Sequence, residues 1–138
     1  WAAQAGWRPV WSVPLVFMAV MAFAAALAFA GIALPVVEAG IAASLLVLGL
    51  LIAAAVRLPA SAGALIVAVF ALFHGYAHGA EIPQAAAPWL YAGGFLLATG
   101  LLHAAGIFAA RQWAARWPWL ARTAGLALSA GGAWMLLG

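Results

Sequence analysis

Apolar residues run along this chain in five blocks, each closed by the few residues that disfavour hydrocarbon or a helix. Crossing a bilayer as a helix takes about 20 consecutive, mostly apolar residues. The blocks that meet this length fall at about 11–30, 36–56, 61–79, 89–110 and 119–137. Gly31 to Pro35 separates the first from the second, and Arg57-Leu58-Pro59 the second from the third. Glu81-Ile82-Pro83, running on to Pro88, ends the third, and Arg111 to Pro118 divides the fourth from the fifth. Proline suits a helix start, where its missing N–H has no bond to make. The pattern predicts an all-α, polytopic transmembrane bundle of about five helices, a single domain over residues 1–138, with short loops and an up-and-down course.

Composition removes the soluble alternatives. Hydrophobic residues fill 70% of the 138 positions and charged residues 5%, whereas a soluble domain carries about 25% charged residues. The chain cannot cover a water-facing surface, so its first partner is the lipid bilayer. It has no lysine and no aspartate, and its charges are Arg8, Arg57, Arg111, Arg116, Arg122, Glu38 and Glu81. No basic cluster on a soluble face is present, so nucleic acid is not a partner. The lack of cysteine excludes disulfides and thiolate metal sites.

Charge also orients the bundle. Arg8 precedes the first helix, Arg57 follows the second, and Arg111, Arg116 and Arg122 surround the last connection. With alternating helices all five arginines share one side, and the positive-inside rule makes that side cytoplasmic. The expected location is the bacterial inner membrane, with the C-terminus outside and Glu38 and Glu81 near the outer face. Trp1, Trp7, Trp11, Trp89, Trp113, Trp117 and Trp119 lie near helix ends, as an interfacial aromatic belt requires. No signal peptide is visible. Trp1 to Gly6 reads as the tail of a helix already under way, with more chain expected before it.

Small residues at four-residue spacing, such as Gly40 with Ser44 and Gly75 with Gly79, predict close helix packing. An oligomer in the bilayer is compatible with the same pattern. Polar chemistry concentrates in Phe70-Ala-Leu-Phe-His74-Gly-Tyr-Ala-His78-Gly-Ala-Glu81-Ile-Pro83. On a helix, His74, His78 and Glu81 project within about 60° of one another, with Gly75 and Gly79 as a second ladder beside them. Ionisable groups are costly in hydrocarbon, about 2.5–3.5 kcal/mol for a charged residue at mid-helix, and are functional candidates by default. Glu38 and His103 complete the set. Imidazole with carboxylate and no sulfur suits divalent nickel, cobalt, zinc or copper, and two carboxylates would neutralise one such ion. The plainer readings stay open: His103 as a hydrogen-bonded structural histidine, and Glu38 as an anion at its helix N-terminus.

The run Phe73-His74-Gly75-Tyr76-Ala77-His78-Gly79-Ala80-Glu81-Ile82-Pro83 resembles the F-H-G-x-A-H-G-x-E-x-P signature of the HupE/UreJ membrane proteins at every fixed position. Pro35 to Ser44 and Gly94 to His103 are similar to further segments of that family. The resemblance implies handling of nickel for hydrogenase or urease, with Ni²⁺ as substrate and no tightly bound cofactor; the residues alone admit Co²⁺ as well. It also implies a sixth, preceding helix carrying an H-P-x-x-G-x-D-H motif, which is absent here. The expected function is facilitated uptake of a divalent metal along Glu81 and Glu38, His78 and His74, and on to His103, and not enzymatic catalysis. Two rivals are compatible with the same residues. One is an intramembrane metal-dependent hydrolase, in which bound zinc activates water. The other is a haem-binding electron carrier, for which His103 would have to join the α-helical histidine pair. A polar file at several depths favours transport; one closed site favours hydrolysis.

Overall fold

The computed structural model describes residues 1–3, 10–82, 87–113 and 116–138. Five helices follow in order: α1 Ser12–Phe29, α2 Val37–Ala53, α3 Ala60–Ala80, α4 Pro88–Trp113 and α5 Pro118–Leu137. Every expected helix is present. Four are long and apolar enough to cross a membrane, while α2 has 17 residues, near the lower limit of about 17 for a span. Trp7, Arg8 and Pro83, each used in reading the sequence, lie outside the described residues.

The sequence extends the second helix to residue 56, but α2 stops at Ala53. Ala55 takes a left-handed conformation, φ 52°. Its N–H donates to Ile52 O and the Val56 N–H donates to Leu51 O. This pair of bonds closes the last turn as a Schellman motif. The same closure ends α1 at Gly31, φ 75°, where Gly31 N–H donates to Ala28 O and Ile32 N–H to Leu27 O. Glycine announces the first stop in the sequence; alanine conceals the second.

Helices adjacent in sequence are not the closest in space. Among the described residues α1 packs along α3 and α2 along α5; α2 also meets α3, and α4 leans on α1. Glycine ladders set these pairings. Buried residues of α3 recur every fourth position, at Gly63, Val67, Ala71, Gly75 and Gly79. A Cβ on Gly75 or Gly79 would overlap the backbone of Met21 or Ala25 on α1. Likewise Gly125 of α5 meets Gly49 and Ala53, and Gly132 meets Ala42 and Leu46 of α2. Such close approach supplies the van der Waals contact that drives helix association in lipid.

The interior is therefore small, and the large residues face outward. The buried apolar set includes Met21, Ala24, Ala42 and Ala71, while Leu65, Leu90, Leu102 and Trp89 are exposed. Two buried serines carry polarity inside α2 and α5. Ser44 Oγ donates to Ile41 O at 2.6 Å. Ser129 Oγ lies 2.9 Å from Gly125 O in its own helix and 3.2 Å from Leu46 O across the α2–α5 seam.

The pairings fix which ends lie together. As α5 runs from Gly125 to Gly132, its partners on α2 run back from Ala53 to Ala42, so the two are antiparallel. α1 and α3 run parallel, Met21 with Gly75 and Ala25 with Gly79. Trp1 Nε1 donates to Val56 O at 2.9 Å, tying the first residue to the end of α2. Arg57, Arg111, Arg116 and Arg122 thus gather at one end of the bundle, opposite Glu38 and Glu81.

Candidate metal site

Turning the glycine ladder of α3 against α1 decides where its histidine stripe points. His74 comes to the Phe17 ring of α1, with 6.1 Å between ring centroids. His78, one turn farther along, meets Phe95 of α4 at 4.4 Å. His103 of α4 approaches the other side of this seam, 5.2 Å from the same Phe17. Three imidazoles from two helices are therefore distributed along the groove between α1, α3 and α4.

Their backbone bonds determine what the rings can offer. His74 Nδ1 lies 3.1 Å from Phe70 O, and His103 Nδ1 lies 2.8 Å from Thr99 O. A carbonyl only accepts, so Nδ1 carries the proton in each ring. In the neutral imidazole the Nε2 lone pair is left for a metal ion, oriented by the bond behind it. The intrahelical bond expected of a structural histidine is present at His103, and it engages Nδ1 and not Nε2.

Glu81 caps α3 and its N–H donates to Ala77 O. Its Oε2 lies 3.7 Å from His78 Nδ1, with the two side chains 68% and 41% exposed. That exposure keeps the pair accessible at the acidic end of the bundle. Glu38 does not join it. The Glu38 side chain is exposed in the first turn of α2 and lines an open cavity with Trp134, Met135 and Gly138 of the α5 end. It is the acidic residue of the first turn of α2, where the helix dipole favours an anion. Gly40, two residues along α2, is what meets α3, through Phe73. No three histidine or acidic side chains among the described residues converge on one point, and the three imidazoles are spread along the groove.

Cavities flank this groove at two levels. One of about 370 Å³ is lined by His78, Phe95, Tyr91 and the α1 residues Ala22, Ala26 and Phe29. Another of about 390 Å³, toward the arginine end, is lined by His103, Phe17, Pro14 and Gly106. Phe17 and Phe95 escape a reading of the sequence, because nothing distinguishes an aromatic residue on an all-apolar helix from its lipid-facing neighbours.

The family described as HupE / UreJ protein matches residues 1–135. The chain belongs to this family. Protein HupE of Rhizobium leguminosarum bv. viciae is 45% identical over 96 residues, which cover 70% of this chain and 50% of that protein. The chain thus spans about half the length of the curated relative it matches. No solved structure matches it. As a HupE/UreJ protein with four membrane-length apolar helices, it is a multi-pass membrane protein. The His74–Glu81 stretch lies within the matched region.

Proposed function

We propose that this HupE/UreJ chain carries a divalent transition metal, nickel first and cobalt second, across the bacterial inner membrane by facilitated transport that supplies hydrogenase or urease maturation. The observation that carries the reading is the file of imidazoles at successive depths: His78, then His74, then His103. His74 and His78 differ by about 6 Å along α3. Several weak sites suit transport, since an ion held by one strong cage cannot leave.

In this reading the metal enters at the acidic end, where Glu81 and His78 are accessible, and passes inward to the Nε2 atoms of His74 and His103. The arginine end faces the cytoplasm, because basic loops are retained there. The ion's own gradient, or the membrane potential, drives a doubly charged cation inward at about 4.6 kcal/mol per 100 mV. A metal-dependent hydrolase would instead need three strong ligands around one ion, and the described side chains form no such group.

Uptake of radioactive nickel into vesicles holding the full-length protein tests the proposal. Saturable uptake, inhibited by cobalt more than by magnesium, is the expected result. Uptake no faster than in empty vesicles rejects it.

A further inference from the structure

We propose that Phe17 is the gate of the file, an aromatic barrier that must swing aside for an ion to pass between His74 and His103. The inference rests on the transport reading and adds a residue with no ligand atom of its own. Its ring touches both imidazoles, at 6.1 Å from His74 on α3 and 5.2 Å from His103 on α4. It stands at the end of one of two cavities that share no lining residue. The cavity holding His78 reaches down α1 to Ala22, and the cavity holding His103 reaches up to Phe17. Met18 closes the level between them against α4, with its Cε 3.6 Å from the position of a Cβ on Gly100.

This septum is made of rotatable side chains. Hydrophobic constrictions of this kind exclude water and hydrated ions until they open. Phe17 is only half-buried and lines the cavity of about 390 Å³ beneath it, so a rotamer change has free space to move into. Swinging the ring toward the arginine end uncovers His74 to His103 while leaving the Nδ1 bonds of both histidines to their own helices intact.

This chain has no cysteine, so, with any cysteine elsewhere in the full-length protein replaced by serine, a single introduced thiol reports access from each side. Ala22→Cys marks the His78 cavity. Gly106→Cys marks the His103 cavity, where an added Cβ meets nothing within 4 Å. In sealed vesicles of defined orientation, a membrane-impermeant methanethiosulfonate is expected to label Ala22→Cys only from the acidic end and Gly106→Cys only from the arginine end. Adding Phe17→Ala should let the reagent reach Gly106→Cys from the acidic end and raise nickel flux several-fold. Phe17→Leu, which keeps apolar bulk, serves where the alanine variant fails to fold, and Phe17→Trp should slow the flux. One-sided labelling and unchanged flux in the Phe17 variants would overturn the gate while leaving nickel transport standing. Two-sided labelling in Phe17→Ala, in a protein that carries no nickel at all, would support the barrier and reject nickel as its cargo.

Discussion

Gly75 of α3 lies directly against the Met21 carbonyl of α1, with no room for even a methyl group between the two backbones. Gly79 repeats the contact at Ala25. This approach places the parallel pair α1–α3 in register and turns His74 and His78 toward Phe17 and Phe95. Overpacking such a contact costs about 1–3 kcal/mol. Gly75→Ala and Gly79→Ala should each lower stability by that amount in mixed-micelle unfolding followed by tryptophan fluorescence. Gly93 and Gly131 offer the control, because a Cβ at either meets nothing within 4 Å. Alanine there should leave stability unchanged or raise it by up to about 1 kcal/mol through helix propensity. Equal effects at all four positions would show that the α1–α3 ladder is not the tight seam described.

The two carboxylates should separate in function. Glu81 lies within 3.7 Å of His78 at the mouth of the file, whereas Glu38 stands beside the end of α5. Under the proposed function, His78→Ala and Glu81→Gln abolish nickel-dependent growth at limiting nickel without reducing the amount of protein. Glu38→Gln reduces it less. A Glu38→Gln defect as deep as that of Glu81→Gln would restore the idea that both acids serve one ion.

Much of the fold is legible in the sequence because a membrane helix must satisfy its own backbone bonds over a fixed length. Prolines and glycines then mark where spans begin or end, as at Gly31 and Pro88, while Arg57 lies four residues past the end of α2. Faces are harder to read. A lipid-embedded helix is apolar on every side, so periodicity does not reveal which side meets a neighbour. Only the small-residue ladders, Gly75 with Gly79 and Gly40 with Ser44, give a face away, and they correctly point to close helix packing. The pairing of α2 with α5 is not visible, nor is the position of Glu38, whose distance from α3 depends on how the helices pair. Phe17 and Phe95 have no local signal at all, since their role comes from what lies across the groove.

Ala55 stores a correctable strain. Its left-handed backbone, φ 52°, costs an L-residue about 1–2 kcal/mol, and glycine removes that cost at an entropy penalty of about 0.5–1 kcal/mol. Ala55→Gly should therefore raise stability by up to about 1 kcal/mol. Gly31→Ala, at φ 75° with open space around it, should lower stability through the same left-handed cost, offset by the same entropy difference. Both are read as shifts of the unfolding midpoint in the same micelles. A loss of stability in Ala55→Gly would mean that the turn at the end of α2 is not left-handed.

Ser129 tests how α5 is fastened to α2. Its hydroxyl reaches Leu46 O across the seam and Gly125 O in its own helix. Hydrogen bonds between helices in lipid contribute about 0.6 kcal/mol on average, so Ser129→Ala should cost about that much. Bulk is the larger constraint. Ser129 Oγ lies only 2.5 Å from where a Cβ on Gly49 would stand, and overpacking there costs about 1–3 kcal/mol. Gly49→Ala should therefore destabilise the protein more than Ser129→Ala. The added methyl group would also stand 2.7 Å from the backbone atoms Gly125 O and Ser129 N, so the double variant should recover only the part of the loss that the Ser129 hydroxyl causes. A double-mutant cycle with no coupling would show that the Ser129 hydroxyl does not bear on the Gly49 contact.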